Sequence, residues 1–227
     1  MTAPLRLVIF DVDGTLVDSQ SDIVAAMTQA FESVDLAVPD RATILGVVGL
    51  SLGVLMPQLA PDASDTAHVK MIETYKHAYM SLRAEVGVAQ SSPLYPGALD
   101  VLKTLHAQPE TLLGVATGKS RRGLDKLIEG HGLEGLFVTQ QVADHHPSKP
   151  HPAMILQALS ETGVDAENAV MVGDTSFDMQ MAASAKVRGI GVNWGYHDRA
   201  RLTDAAQVIN GFEQLAPTLD TLWSVEA

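Results

Sequence analysis

Short apolar runs, each too brief for a helix, constrain this chain most. The first is Leu7-Val8-Ile9-Phe10. Leu112 to Ala116, Leu136 to Thr139, Ala169 to Val172, Val187 to Val192 and Val208-Ile209 follow. Such runs read as strands buried on both faces. Helical patterns separate them, over Ala98 to Ala107, Ser120 to Glu129, Pro152 to Thr162, Phe177 to Ala185 and Phe212 to Leu222. Strands alternating with helices predict a parallel sheet with right-handed crossovers. Residues 1 to 10 supply the first strand of that sheet. The expected class is α/β, a Rossmann-like parallel sheet core.

The alternation is interrupted once. After Asp18-Ser19, apolar residues fall at helical spacing, at Ile23, Met27, Ala30-Phe31 and Val34, and again at Val69, Ile72, Tyr75, Tyr79 and Leu82. Between Pro39-Asp40 and Pro61-Asp62 runs an uncharged stretch, Ala42 to Ala60. Its length approaches that of a membrane span, but Gly46, Gly49, Ser51, Gly53, Pro57 and Gln58 break it up. A buried, glycine-hinged part of a helical unit is the expectation. No strand signal occurs here, and Ser91-Ser92-Pro93 and Pro96-Gly97 punctuate the return to the sheet pattern. The predicted organisation is an α/β core of residues 1–17 and 93–227, with an all-helical cap of residues 18–92. An insertion after the first strand lies over the sheet's carboxyl edge, as a lid would.

Composition excludes several classes of function. The chain has 227 residues, 46% hydrophobic, and a net charge of −12. So acidic a protein is a poor binder of nucleic acid or anionic membrane, and an anionic substrate requires a local cluster of positive groups. Cysteine is absent, which removes disulfides, thiolate metal sites and cysteine nucleophiles. Met1 to Phe10 lacks the features of a signal peptide. A cytoplasmic protein is expected.

The strand ends carry the chemistry. Phe10 is followed by Asp11-Val12-Asp13-Gly14-Thr15. Residues i and i+2 of an extended chain share a side, so Asp11 and Asp13 can face one pocket. Asp-Val-Asp-Gly is also ordinary turn chemistry, and the later strand ends must decide. Thr117-Gly118-Lys119-Ser120 offers a hydroxyl, a close backbone approach and a helix N-terminus that favours an anion; helix capping by Ser120 is the plainer alternative. Pro147-Ser148-Lys149-Pro150-His151-Pro152 holds one lysine among three prolines, a point charge suited to phosphate. Gly173-Asp174-Thr175-Ser176-Phe177-Asp178 ends a strand in acids that could also cap the following helix. In one parallel sheet these groups converge on one edge. Four carboxylates in one pocket raise one another's pKa values, and a hard cation resolves the repulsion. Oxygen-only ligands suit Mg²⁺. With Lys149 and Thr117 the site suits a phosphoryl group. One of the paired aspartates attacks phosphorus and the other protonates the leaving oxygen and later activates water.

These four segments resemble, in order, the four motifs of the haloacid dehalogenase-like hydrolases. Within that superfamily the chain is similar to the phosphoglycolate phosphatase and β-phosphoglucomutase branch. Ser148 to Pro152 and Gly191-Val192-Asn193-Trp194-Gly195-Tyr196-His197 look especially like the phosphoglycolate phosphatase side. The resemblance implies Asp11 as nucleophile and Mg²⁺ ligand, and Asp13 as general acid/base, ligating the metal through its carbonyl. Thr117, Gly118 and Lys149 would bind the phosphoryl group, Asp174 the metal. Asp178 would orient the metal's waters and Lys149. Dehalogenases of the superfamily lack the second aspartate of the first motif, so Asp13 argues against dehalogenation.

The implied substrate is a small anionic phosphorylated metabolite, with phosphoglycolate the specific expectation. The loop from Gly46 to Gly53 is the candidate for substrate choice. Arg41, Lys70, Lys76 and Arg83 read as solvated helix charges, any of which could meet a substrate carboxylate or second phosphate. Lys119, Arg121 and Arg122 could add a local positive field, and His145 and His146 could line the entrance. A sugar phosphomutase and a receiver-like phospho-acceptor are the alternatives. Oligomeric state is unreadable from the sequence.

Overall fold

A computed structural model describes residues 4–224. The ends of the expected core, 1–3 and 225–227, lie outside the described residues, as does the start of the first expected strand. Six strands form one parallel sheet: β1 Arg6–Phe10, β2 Thr111–Thr117, β3 Thr139–Val142, β4 Ala169–Gly173, β5 Arg188–Val192 and β6 Gln207–Ile209. Their order is β3-β2-β1-β4-β5-β6. β1 pairs with β2 on one side and β4 on the other. The chain therefore changes direction of winding at β1, the position where open α/β sheets bind ligands.

Both faces of the sheet are covered, which is why the strands read as unbroken apolar runs. Val8, Phe10, Leu113 and Val115 pack with Leu102 and Leu105 of one helix (Ala98–His106) and Leu124 and Leu127 of another (Arg121–His131). Leu7, Ile9 and Met171 face the other way, onto Ile155 and Ala158 of Ala153–Thr162 and Met181 and Ala182 of Ser176–Ser184. The last helix, expected from Phe212, opens as a single 3-10 turn and becomes α-helical over Leu215–Ser224.

Between β1 and β2 lie α1 Gln20–Glu32, α2 Arg41–Leu45, α3 Leu52–Leu59, α4 Asp65–Val86 and α5 Val88–Ser91. The first four gather around a separate apolar cluster that includes Met27, Phe31, Ile44, Met56 and Met71. The uncharged stretch supplies α2, α3 and the loop between them. No described helix is long and apolar enough to cross a membrane. The two crossings between this cluster and the sheet run side by side. Val17 bridges Leu94, and Asp18 N donates to Pro93 O at 2.8 Å.

Two further sequence expectations shift. The strand expected at Leu136 to Thr139 is found at Thr139–Val142. Leu133 and Phe137 instead join the core beneath the preceding helix. The strand itself lies at the sheet's edge and carries polar residues: Gln141 Nε2 donates to Thr139 Oγ1 at 2.7 Å and to Glu161 Oε2 at 2.8 Å. An apolar run was the wrong signal for it. On α4 the expected stripe is only partly packed. Val69 is 56% exposed and Tyr75 and Tyr79 are half-buried, while Met71, Ala78 and Arg83 are the buried residues. The tyrosines face a cavity rather than solid core.

Candidate active site

The carboxyl ends of β1, β2 and β4 and the loop carrying Lys149 meet at one rim. Lys149 is the link between them. Its Nζ lies 2.9 Å from Asp11 Oδ1 and 2.6 Å from Asp178 Oδ1, and its side chain has no exposed surface. Burial opposes its charge, but the two carboxylates outweigh it and hold its pKa above the ordinary lysine range. Asp178 also closes a capping box with Thr175. Its Oδ2 accepts from Thr175 N at 3.0 Å and from Thr175 Oγ1 at 2.6 Å. The cap and the charge pair are thus two duties of one carboxylate.

Asp174 is held by groups that the sequence did not single out. Its Oδ1 accepts from Thr15 Oγ1 at 2.9 Å and its Oδ2 from Tyr196 N at 2.8 Å. Gly14 permits this approach. It has φ +82, and a Cβ there would lie 2.2 Å from Asp174 Oδ2, so no other residue fits without displacing the acid. Trp194 Nε1 donates to Thr15 O at 3.1 Å. The segment Asn193 to His197, whose purpose the sequence left open, is thereby a brace for the acid at the end of β4.

Asp11, Asp174 and Asp178 present oxygens that all lie within 4.8 Å of one another, each acid buried. Asp11 Oδ2 has no hydrogen-bond donor. Burial, partly offset by Lys149 and reinforced by Asp178, pushes the Asp11 carboxyl up to about 7. Burial, then Asp178 and Asp11, raises Asp174 well above the usual carboxylate range. Clustered, desolvated carboxylate oxygens with an unused lone pair fit a hard divalent cation. Asp11 and Asp174 would hold it.

Asp13 takes a separate set of partners. Its Oδ1 lies 2.8 Å from Lys119 Nζ and accepts a short hydrogen bond from Ser19 Oγ. Lys119 also reaches Tyr79 Oη at 3.3 Å. Burial works against the lysine's charge, and Asp13 beside it raises the pKa nonetheless. Arg121 turns away, to Gln140, and His146 bonds Gln141.

Thr117 is buried at the end of β2 and its Oγ1 accepts from Lys119 N at 3.2 Å. Gly118 follows, and a Cβ there would come within 2.7 Å of Gly49 O. The Gly46 to Gly53 loop therefore touches the rim directly. Two further bonds tie it down: Ser51 N donates to Ser148 Oγ at 2.9 Å, and His197 joins Ser176 N to Gly46 O, 3.0 Å from each. His197 Nδ1 accepts from a backbone N–H, so Nε2 carries the proton given to Gly46. Burial lowers its pKa and keeps the ring neutral.

Of the cap cations, Arg41 bonds Gln20 and Lys70 bonds Ser33 O, both at exposed positions. Arg83 departs from the expectation of a solvated charge. It is 8% exposed and stands with Lys76 on the wall of a cavity of about 620 Å³ that also includes Asp11, Asp13 and Thr117.

The chain belongs to the haloacid dehalogenase-like hydrolase family, whose model matches residues 8–192. It is similar to the probable phosphatase IndB of Dickeya dadantii, 36% identical over 214 residues, 92% of this chain and 91% of the relative. It is also similar to the phosphoglycolate phosphatase of Rhodospirillum rubrum, 34% identical over 200 residues, 84% of this chain and 80% of the relative. A hydrolase from Pseudomonas syringae has the same fold, with a TM-score of 0.83 at 25% identity over 95% of this chain and 98% of that one. Family and relatives together make this chain a phosphatase.

Proposed function

We propose that the protein is a Mg²⁺-dependent phosphomonoesterase that works through an aspartyl-phosphate, with residues 18–92 as a helical cap over the site. The observation that supports this best is the pairing of Asp11 with Lys149 beside Asp174, at the carboxyl edge of β1 and β4. A bound Mg²⁺ would neutralise charge on the phosphoryl oxygens. Asp11 attacks phosphorus, and the bond to the leaving oxygen breaks. Asp13 gives that oxygen a proton. Asp13 then takes a proton from water as the water attacks the aspartyl-phosphate, returning Asp11 and releasing phosphate. Lys149 stabilises equatorial charge, while Thr117 and the backbone at Gly118 position the phosphoryl group. Lys119 holds Asp13 in place.

The substrate class is a small phosphorylated metabolite. 2-Phosphoglycolate is the first to test, because relatives carry the name phosphoglycolate phosphatase. Turnover of p-nitrophenyl phosphate is expected with Mg²⁺, none after chelation, and none in Asp11→Asn. Stoichiometric labelling by acetyl phosphate without turnover would instead favour a receiver-like acceptor. A requirement for a bisphosphate activator would favour a mutase.

A further inference from the structure

The cavity beside the acid cluster is larger and more apolar than a two-carbon acid requires. Its volume of about 620 Å³ is in the range of pockets that take ligands much larger than a two-carbon acid. Asp11, Asp13 and Thr117 occupy one end. Ile23, Met27, Ile44, Leu55, Tyr75 and Tyr79 form much of the rest. The two tyrosine rings stack, with centroids 5.9 Å apart and planes 25° from parallel. Aromatic walls of this kind favour an aromatic guest.

Arg83 gives the chamber a second polar point. Its Nη1 donates to Gly123 O at 3.3 Å and its guanidinium lies 5.0 Å from the Tyr79 ring centroid. Nε and Nη2, both buried, have no partner. Buried unsatisfied donors are costly, more so when charged. No carboxylate among the described residues pairs with this one. An acceptor brought in by the ligand, met by a turn of the guanidinium toward the cavity, resolves the cost. Lys76 and Arg122 also line the cavity, whose acids are Asp13, paired with Lys119, and the proposed nucleophile Asp11, paired with Lys149, so the field there favours an anion despite the acidic chain.

We propose that the physiological substrate is a phosphomonoester of a ring-bearing alcohol whose far end carries an anionic oxygen. The ring lies against Tyr75 and Tyr79, and the remote oxygen bonds Arg83. This rests on the phosphatase reading and specifies the leaving group for it. It displaces 2-phosphoglycolate as the expected substrate.

The test compares 2-phosphoglycolate, benzyl phosphate and 4-carboxybenzyl phosphate, esters of alcohols of similar acidity, so that intrinsic leaving-group reactivity does not decide the order. Benzyl phosphate is expected to exceed 2-phosphoglycolate in kcat/KM by about tenfold or more, on the scale of ring burial. The carboxylated ester should gain about another tenfold from the charged hydrogen bond. In Arg83→Gln the ratio of carboxylated to plain benzyl ester should fall to near one. A ratio taken on one preparation is unaffected by the fraction folded. Val47→Trp, which narrows the chamber, should shift the preference back toward 2-phosphoglycolate. Higher kcat/KM for 2-phosphoglycolate than for either ring ester, or an unchanged ratio in Arg83→Gln, overturns this inference and leaves the phosphatase reading standing. No turnover of any of the three, or of p-nitrophenyl phosphate, overturns both.

Discussion

The two ends of the cavity are built on opposite principles. At the sheet edge, buried polar atoms are densely cross-bonded. Lys149 joins Asp11 to Asp178, Thr15 and Tyr196 hold Asp174, and Gly14 admits no side chain. At the helical end the walls are aliphatic and aromatic, and Arg83 keeps two unused donors. A rigid polar end supports one reaction, because its groups cannot move without leaving charges unpaired. On the proposed function, an apolar end with adaptable side chains would set which leaving group enters. The difference teaches that the densely bonded polar groups and the open apolar space come from separate parts of the chain, and the proposed function gives the chemistry to the first and the choice of substrate to the second.

The sharpest test of that division is Asp13. Asp13→Ala should leave substrate binding intact and slow dephosphorylation by roughly a hundredfold or more, the usual scale for a general acid/base. Steady-state release of inorganic phosphate measures it, because p-nitrophenol departs before the step that slows, and unchanged phosphate release removes Asp13 from the mechanism. A smaller but broader effect is expected from Gly14→Ala. Its φ of +82 and the clash with Asp174 should cost about 1–3 kcal/mol and weaken the response to Mg²⁺, read by urea unfolding with and without metal. Equal stability and metal response would mean the acid end is less rigid than drawn.

The acid end should also show in the pH dependence of metal-free protein. Asp11 is raised from 3.8 to about 7, and Asp174 is raised too. A carboxyl whose folded pKa exceeds its unfolded one binds more protons when folded. Its contribution therefore falls as pH climbs from about 4 to about 7. Mg²⁺ competes with those protons. It should raise Tm more at pH 7.5 than at pH 5, a difference visible by differential scanning fluorimetry. An equal shift at both pH values would detach these carboxylates from the metal. The change expected to touch catalysis least is His197→Ala, which removes the bridge from Ser176 to Gly46. It should cost about 1–3 kcal/mol and raise KM more than it lowers kcat, since the loop it anchors touches the rim without reaching phosphorus. A pure kcat loss would contradict that.

Much of the acid end was legible beforehand. Asp11, Asp174 and Lys149 each follow an apolar strand or a proline-fixed turn, and a parallel sheet brings strand ends to one side whatever the helices do. Thr15 and Tyr196 were not legible, because a threonine and a backbone N–H have no distinctive spacing. The edge strand Thr139–Val142 escaped because its side chains are polar. On α4, Tyr75 and Tyr79 had the spacing of a packed helix stripe. A helix lining a cavity and one lining a core share the same apolar periodicity.

The order of strands and helices, the acids at the strand ends and the lysine among prolines were determined by the chain itself, since local periodicity and turn chemistry act over a few residues. Only the tertiary structure decided that Arg83 is buried without an anionic partner, and that a large apolar space lies between it and Asp11. Burial and empty volume depend on how distant segments pack, and no short stretch of residues encodes them.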